Sequence, residues 1–375
     1  MYSMIKFPII KPFITRDSEE EVLKVLRSGW LTQGRYVGIL EERIKTYNKS
    51  RHAFLLNSAT SGLIIAIKAL ELRQKDEVIC PSFTFPATLN SVILGGATPT
   101  FCDIDLDTFN ISAEKIESSI TKNTKAIMPV SEFGLPADMK AILKIAHKHN
   151  LSVIEDAACA FGSKIHDKKI GSFGDIGVFS FHPRKIITSG EGGCVITDSG
   201  KLAKRLKFLR NQGLENNRFV SYGYNFRMSD IQAAVLLNQA VKIEDIIHRR
   251  ISLAGNYNRL LKGFQDKELV KLPACPKNYR HTYQSYVILL SKKINRDRLS
   301  EVLRKKGIET KFGTYCVPAL DFYRKNFKVS KDKYKNAYLA YKQSLTIPLY
   351  HTMGRVDQEF IANSITKAIP GRSNA

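Results

Sequence analysis

The chain has 375 residues, of which 43% are hydrophobic and 25% are charged. These proportions are ordinary for a folded protein and exclude an intrinsically disordered chain. The length predicts a large domain joined to a smaller one. The sequence has no run of about 18 apolar residues and no signal-peptide pattern at its start. We therefore expect no transmembrane segment and no secretion, and we predict a cytoplasmic protein.

Lysine and arginine exceed the acidic residues by 58 − 35 = 23, and most of this excess lies in the second half. Residues 1–200 carry 24 basic and 22 acidic side chains (net +2), whereas residues 201–375 carry 34 and 13 (net +21). A positive field of this kind attracts an anionic partner, such as nucleic acid, a phosphorylated substrate or an anionic membrane surface. A lysine-rich genome with solvated helix faces explains the excess equally well.

The six cysteines are widely scattered, and no two of them form a C-x-x-C pair. The sequence therefore predicts neither a metal site nor a disulfide framework. Free thiols fit a reducing cytoplasm. These residues are Cys80, Cys102, Cys159, Cys194, Cys275 and Cys316.

The first half of the chain alternates between helical and strand-like segments. A first helix is predicted with Ser18 as its N-cap and Gly29 at its end, and a second from about Ser61. Apolar runs without strict alternation then follow, which is typical of strands that are covered on both faces. The predicted strands are EVICPSF, TPTFCDID, KAIMPVS, LSVIEDAA, DIGVFSF and GGCVIT, with helices in ATLNSVILGGA and ADMKAILKIAHKHN.

The sequence of the second half of the chain predicts a different organisation. One long helix is expected in IQAAVLLNQAVKIEDIIHRR, after Ser229 and Asp230, and it leads into a mixture of strand (QSYVILL) and helix (RDRLSEVLRKKG, ended by Gly307). We therefore predict an α/β fold with a large domain over residues 1–245, built on a mostly parallel central sheet flanked by helices. Residues 246–375 are predicted to form a smaller α+β domain.

In open α/β sheets, ligands bind beyond the carboxyl ends of the strands, so polar residues in that position are candidates for a site. Glu155 and Asp156 end the run LSVI. An acid at this edge can contact a ligand, but it can equally cap a helix or form an ion pair.

A second candidate is the segment FSFHPRKIITSGEGGC. It places Ser180, His182, Arg184 and Lys185 after one apolar run, with a glycine-rich turn at residues 190–193 before the next. Glycines allow tight turns and a close approach of the backbone. A lysine whose pKa is lowered by burial and by neighbouring cations becomes a nucleophile toward carbonyl groups. The alternative is an ordinary surface lysine in a loop.

A third candidate is NSATSG at residues 57–62, where hydroxyl residues begin an apolar helix. Free N–H groups and the helix dipole make such a terminus an anion site, although simple N-capping by Ser58, Thr60 or Ser61 explains the same pattern.

Taken together, the three candidates place an anion-binding helix terminus, an acid and a lysine at one edge of the sheet. Pyridoxal phosphate requires this combination, because its phosphate binds a helix N-terminus, its ring nitrogen a carboxylate and its aldehyde an amine. Phe85 could stack on its ring.

These motifs resemble those of the DegT/DnrJ/EryC1/StrS nucleotide-sugar aminotransferases, which have fold type I of the pyridoxal-phosphate enzymes. The resemblance runs from GWLTQGRYV near residue 29 to IPLYHTMG near residue 354. It depends on the combination of VICPSFTFPATLNSVILGGATPTFCDID, VIEDAACAFGS, GDIGVFSFHPRKIITSGEGG and GYNFRMSDIQAA. It implies the conversion of a nucleotide-linked keto sugar to an amino sugar, with pyridoxal phosphate (PLP) as cofactor. Pyridoxamine phosphate is the implied intermediate, L-glutamate the amino donor, and surface polysaccharide or related amino-sugar biosynthesis the pathway.

The resemblance also implies a role for each matching residue. Lys185 would bind the cofactor covalently and transfer protons, and Asp156 would pair with the pyridinium nitrogen. Asn225 would reach the cofactor of a neighbouring subunit, so a homodimer with the site at its interface is implied. The remaining cofactor contacts would be the phosphate-binding Thr60, Ser61 and Ser180, and the ring-stacking Phe85.

The chain departs from the family pattern at several positions. Cys159 stands where glutamine often contacts the ring hydroxyl, and Ser131 and Phe133 replace a histidine and a tyrosine. The segment TYCVPALDFY lacks the usual histidine-containing pattern. His182 and Tyr315 are the candidate substrate contacts.

Three other functions are alternatives. The dehydratase branch of the family removes a sugar hydroxyl, but it has histidine where Lys185 stands here. A non-catalytic binding or regulatory relative would keep the fold, yet the intact Lys185 and Asp156 favour an enzyme. Nucleic acid is not expected as a partner, because no zinc-finger spacing, basic-region helix with heptads or aromatic RNA-binding signature occurs.

Overall fold

The computed structural model describes residues 5–369. The helices are α1 (Arg16–Ser28), α2 (Arg35–Asn48), α3 (Ala59–Ala69), α4 (Ala87–Leu94), α5 (Ala113–Ile116), α6 (Met139–Lys148), α7 (Gly200–Arg210), α8 (Asp230–Val241), α9 (Ile243–Asp266), α10 (Arg296–Lys305), α11 (Asp321–Asn326), α12 (Lys335–Gln343) and α13 (Arg355–Ala368). The strands of the first half are β1 (His52–Leu56), β2 (Glu77–Pro81), β3 (Phe83–Thr84), β4 (Thr98–Cys102), β5 (Thr124–Ile127), β6 (Ser152–Asp156), β7 (Lys164–Ile165), β8 (Lys168–Lys169), β9 (Ile176–Ser180) and β10 (Gly193–Thr197). Those of the second half are β11 (Leu214–Glu215), β12 (Arg218–Phe219), β13 (Val270–Lys271), β14 (Tyr279–Arg280), β15 (Tyr286–Leu290), β16 (Tyr315–Cys316) and β17 (Ser344–Ile347).

The central sheet contains seven strands in the order β1-β10-β9-β6-β5-β2-β4. Strands β9, β6, β5, β2 and β4 run parallel to one another, whereas β10 is antiparallel to both of its neighbours, β1 and β9. The expected mostly parallel sheet is therefore confirmed. The carboxyl ends of β1, β9, β6, β5 and β2 meet at one edge, and β10 begins there.

The apolar runs form strands that are buried along nearly their whole length, as in β6, β9 and β10. Helix α3 packs directly against β9 and β10. Gly62 makes this close approach possible, because a Cβ there would lie 2.8 Å from Val178 and 3.0 Å from Val195. This contact fixes the start of α3 at the sheet edge where several strands end.

A smaller antiparallel sheet, β13-β15-β17, packs with α9, α10 and α13 around a separate apolar core. This core also contains Phe7, from the start of the chain. The segment that carries β16, α11 and α12 packs instead on the core of the large sheet, through residues such as Tyr323 and Ala337. The division of the chain at residue 245 stays a prediction.

Two predicted helices differ from those in the structure, and one helix was not predicted. Helix α1 is capped by Thr15, whose Oγ1 accepts from the backbone N–H of Ser18, so Ser18 lies inside the first turn. Helix α2 was not predicted. The single long helix expected after Asp230 is two helices, because the chain leaves helical geometry at Lys242 between α8 and α9. Gly29 and Gly307 follow their helices with φ of 71° and 75°, as predicted for C-terminal glycines.

Within residues 5–369, none of the helices combines the length and the apolar character that a membrane span requires.

Candidate functional site

Glu155 and Asp156, at the carboxyl end of β6, have different roles. The Glu155 carboxylate accepts three backbone N–H groups, from Gly171 at 2.8 Å, Phe173 at 2.6 Å and Gly174 at 2.7 Å. It therefore holds the turn that precedes β9. Asp156 is available for a ligand, and the predicted acid at this edge is this second residue.

The Asp156 carboxylate is buried and carries two hydrogen bonds. Its Oδ2 accepts from the Thr88 hydroxyl at 2.8 Å, and its Oδ1 accepts from the Ala158 N–H at 3.2 Å. Burial raises the pKa of Asp156, while the bonds from Thr88 and Ala158 and the charge of Lys185 act in the opposite direction. A cation placed against this carboxylate would therefore favour its ionised form.

Lys185 lies in the turn between β9 and β10 and points toward the same edge. Its Nζ is 3.1 Å from the Sγ of Cys159, which follows β6. The turn is held at its base by Thr188, whose hydroxyl donates to the carbonyl of Phe181 at 2.8 Å. From the segment just before β15, the Gln284 amide donates to the carbonyl of Arg184 at 2.7 Å. These bonds fix the backbone on both sides of Lys185.

The Lys185 ammonium group is buried among acidic side chains. Burial lowers the pKa of its ammonium group, but the contact with Cys159 and the carboxylate of Asp156 raise it, and the net shift is upward. The side chains that act on the ammonium are thus acidic groups and not neighbouring cations. Burial raises the pKa of the Cys159 thiol, so this neighbour is a neutral thiol at pH 7.

The start of α3 lies at the same edge. Ser58 is the N-cap, and its Oγ accepts the N–H of Ser61 at 3.1 Å. The Ser61 hydroxyl donates to Oδ1 of Asn57 at 2.7 Å and is buried, whereas Thr60 is half-buried. Ser58 therefore caps the helix. The hydroxyls of Thr60 and Ser61 lie at its N-terminus, where the anion site stays a prediction.

Ser180 and the start of α3 are brought together by Gly193. Ser180 ends β9 and pairs with Gly193, the first residue of β10. A Cβ on Gly193 would lie 2.4 Å from the carbonyl carbon of Ser58, so only glycine lets the helix terminus lie this close to the sheet. The hydroxyls, the helix N-terminus, the acid and the lysine therefore share one edge, and this donor set fits the phosphate, ring nitrogen and aldehyde of PLP.

Replacing Gly193 with alanine is expected to move α3 away from β10, because the new methyl group meets the backbone of Ser58. Forced overpacking of this kind costs about 1–3 kcal/mol of unfolding free energy. Thermal unfolding and PLP affinity would measure the effect, with Gly200→Ala as the control, since a Cβ at Gly200 meets nothing within 4 Å. Unchanged stability and affinity in Gly193→Ala would contradict the close approach.

The remaining predicted residues lie around this centre. Phe85 follows β3, is 61% exposed and has its ring 6.1 Å from that of Tyr315. The His182 ring is half-exposed, 3.8 Å from a Glu191 carboxylate oxygen. Asn225 is exposed and forms a bridge with Asn211. Within residues 5–369, no hydrogen bond joins Asn225 to Lys185, and its proposed role in a second subunit stays a prediction.

The sequence interpretation missed three residues that lie against the predicted ones. Thr88 donates a hydrogen bond to Asp156, although 68 positions separate them in the sequence. The hydroxyl oxygens of Thr84 and Thr88 are 3.0 Å apart. Glu132 is 4% exposed, and its pKa responds to the charges of Asp156 and Lys185. The rule that polar residues after a strand form the site could have indicated Glu132, which comes five residues after β5. No sequence signal indicated the threonines.

Comparisons with known proteins by sequence and by structure indicate the same family. Residues 12–366 match the profile of the DegT/DnrJ/EryC1/StrS aminotransferase family. The spore coat polysaccharide biosynthesis protein SpsC of Bacillus subtilis is 34% identical over 97% of this chain and 97% of its own. Helicobacter pylori PseC, an aminotransferase in the biosynthesis of pseudoaminic acid, superposes with a TM-score of 0.91 at 30% identity, over 96% of this chain and 98% of its own.

Streptococcus pneumoniae Spr1654 superposes equally well in its PLP form, with a TM-score of 0.91 at 26% identity over 97% of this chain and 98% of its own. A PMP form of the same protein is also known. The predicted fold type I architecture and the predicted PLP cofactor are therefore confirmed. The chain belongs to the DegT/DnrJ/EryC1/StrS aminotransferase family.

Proposed function

We propose that this enzyme transfers an amino group from L-glutamate to a keto sugar carried by a nucleotide diphosphate. The observation that carries the proposal is the meeting of Lys185, Asp156 and the N-terminus of α3 at one edge of the sheet, in a chain of a sugar aminotransferase family. PLP supplies an electron sink that stabilises negative charge on the carbon next to the amino group.

Different residues at this edge would bind different parts of PLP. The N-terminus of α3, with Thr60, Ser61 and Ser180, would hold the phosphate through N–H groups, hydroxyls and the helix dipole. Phe85 would cover one face of the ring. The carboxylate of Asp156 would face the ring nitrogen and keep a proton on it, since a carboxylate beside a cation stays ionised. Cys159 would lie near the ring hydroxyl, where its neutral thiol can make only a weak hydrogen bond.

Lys185 would bind the cofactor through Nζ and then act as base and acid. Its amine would take a proton from the α-carbon of the donor and later return one to the carbon of the sugar. Cys159, 3.1 Å from Nζ, would hold the amine between these transfers. His182 and Tyr315 would contact the substrate at the mouth of the site.

The wider setting is proposed from charge and from the relatives. Residues 201–375 have a net charge of +21, and their lysines and arginines would attract the nucleotide diphosphate. Asn225 would complete the site of a second subunit in a homodimer. SpsC acts in spore coat polysaccharide biosynthesis. By analogy, we propose a role for this enzyme in surface polysaccharide or related amino-sugar biosynthesis, in the cytoplasm.

The test separates the two halves of the reaction. With PLP bound, the enzyme is expected to absorb near ~420 nm, and L-glutamate is expected to shift the band toward ~330 nm as the amino group is transferred. A panel of nucleotide-linked keto sugars should then restore the first band, with release of an amino sugar. The proposal would be refuted if no amino donor shifted the ~420 nm band. It would also be refuted if no nucleotide-linked keto sugar converted the ~330 nm form back to the ~420 nm form.

A further inference from the structure

Two cationic side chains line a small cavity beside the turn that carries Lys185. One is Arg184, the residue before Lys185, and the other is Lys311, whose backbone pairs with Thr346 of β17. Gln284 lines the same cavity, and its amide donates to the Arg184 carbonyl at 2.7 Å. The cavity is therefore held against the turn between β9 and β10 by a direct hydrogen bond.

A row of aromatic rings joins this cavity to the proposed cofactor site. Phe312 lines the cavity, and its ring is 5.0 Å from that of Tyr315. The Tyr315 ring is in turn 6.1 Å from that of Phe85, the proposed stacking residue. The cavity thus borders the site twice, through the backbone at Lys185 and through these rings. A small ligand that reacts at Lys185 can therefore extend toward the cavity.

Neither cation has an acidic partner. Within residues 5–369, the Arg184 guanidinium and the Lys311 ammonium form no ion pair and donate no hydrogen bond. The acid that acts on Lys311 is Glu309, whose carboxylate already accepts the N–H of Ile9 at 2.9 Å. Burial and the charge of Arg184 lower the pKa of Lys311. Two like charges thus line one space, and an anion bound between them would relieve their repulsion.

The size of the cavity limits the kind of anion that it can hold. Its volume is about 50 Å³. One water molecule needs about 10–15 Å³ of such space, so there is room for roughly three to five atoms of that size. A carboxylate group, with one carbon and two oxygens, fits this space, whereas a nucleotide diphosphate is too large for it. Ser285 and Thr346 also line the cavity, and their hydroxyl groups are of a kind that donates to a carboxylate.

We propose that this cavity binds the side-chain carboxylate of a dicarboxylic amino donor, with Arg184 and Lys311 as its two cationic contacts. The proposal rests on the proposed function, in which L-glutamate transfers its amino group at Lys185. The carboxylate at the far end of the donor would then lie between the two cations. Arg184 offers a planar fork of N–H donors that matches a carboxylate, and Lys311 adds a point charge. The pair would therefore select glutamate over amino donors that have a neutral side chain.

The first test measures binding without the transfer of an amino group. Glutarate has the two carboxylates of glutamate but no amino group, so it binds without reacting. Calorimetry with the PLP-loaded enzyme measures its Kd for the wild type and for two variants, Arg184→Gln and Lys311→Gln. The Kd should rise about 10–100-fold in each variant, which is the usual effect of losing one hydrogen bond to a charged group.

The matched control for this test is Lys122→Gln, which removes an exposed lysine just before β5 and should leave the glutarate Kd unchanged. Arg184 is also exposed, so Arg184→Gln decides the result if Lys311→Gln does not fold. A wild type that does not bind glutarate would overturn the proposal. An unchanged Kd in the folded variants would overturn it as well.

The second test measures how fast the amino donor shifts the ~420 nm band of the PLP-loaded enzyme. In Arg184→Gln and Lys311→Gln, KM for L-glutamate should rise about 10–100-fold, while the maximum rate stays within a few-fold. L-Glutamine is the matched ligand, because it has the shape of glutamate without the charge, and its KM should not change. Arg184→Lys keeps the charge and should recover most of the affinity for glutamate. Equal losses for glutamate and glutamine would indicate a merely structural role and overturn the proposal.

The third comparison uses the nucleotide-linked keto sugar, the other anionic substrate. Its KM should be unchanged in Arg184→Gln and Lys311→Gln, because the cavity is too small for its diphosphate. A rise in that KM with an unchanged KM for glutamate would assign the cavity to the diphosphate and overturn the proposal. The glutarate measurement is independent of transamination. Its loss in the variants would support the cavity as a carboxylate site even if the enzyme transferred no amino group to a keto sugar.

Discussion

Replacing Lys185 with alanine is expected to remove the absorbance band of the covalently bound cofactor and to lower transamination by about 10³-fold or more. Two proposed functions would be lost together, because Lys185 is proposed both to bind PLP through its amine and to move the proton as a base. The structure supports both, since the Lys185 Nζ lies 3.1 Å from Cys159 and within reach of the charge of Asp156. The methyl group of alanine can neither bond the aldehyde nor accept a proton.

The measurement combines the absorbance spectrum with single-turnover rates for L-glutamate. Lys148→Ala is a suitable control, because Lys148 is an exposed lysine at the end of α6 that pairs with Glu117. Added methylamine should restore part of the activity of Lys185→Ala if the missing group is the amine. A variant that keeps both the band and the rate would show that another residue binds the cofactor.

The order of elements in the large domain was predictable because the buried strands of a parallel sheet leave a clear pattern. Runs such as LSVI and GVFS have no polar alternation, and both are strands with buried faces. The reversal of β10 was not predictable, because its sequence, GCVIT, resembles that of its parallel neighbours. Helix α2 was missed because few of its residues are apolar. Its N-cap is Gly34, which has no side chain to accept a hydrogen bond from the first turn.

The candidate site shows a similar division. Asp156 and Ser180 end strands and Lys185 follows one. The carboxyl ends of parallel strands meet at one edge of the sheet, so sequence reasoning could place these residues together. The partners of these residues depend on contacts between distant segments. Thr88 reaches Asp156 only because α4 starts beside β6, and no local pattern reports such a contact.

The positive charge of the second half has a structural component that the sequence did not show. Arg250 is buried and donates to the backbone carbonyls of Tyr283 and Gln284. Arg280 donates to Glu244 on α9 and to the carbonyl of Gly162. These arginines connect α9 to the segment between β14 and β15, and β14 to the turn at Gly162, and they do not offer their charge to a ligand. The attraction of a nucleotide diphosphate therefore depends on the exposed lysines and arginines.

Replacing Asp156 with asparagine is expected to lower kcat by about two to three and a half orders of magnitude. Removing one partner of a buried charge pair costs about 3–5 kcal/mol, and each 1.4 kcal/mol is about tenfold. Asparagine keeps an oxygen for the Thr88 hydroxyl but carries no charge to hold a proton on the ring nitrogen. The fold should survive, because the Thr88 and Ala158 hydrogen bonds can still form.

The sign of the pH dependence distinguishes this loss from a general loss of structure. In the wild type, kcat should fall as the pH drops through the pKa of Asp156, which burial raises. In Asp156→Asn, kcat should instead rise as the pH is lowered, since solvent then supplies the proton. Thr88→Val keeps the carboxylate but loses one bond to it, so about a tenfold loss is expected. Asp167→Asn, at an exposed position, should change nothing. Parallel profiles for the wild type and Asp156→Asn would show that Asp156 does not face the ring nitrogen.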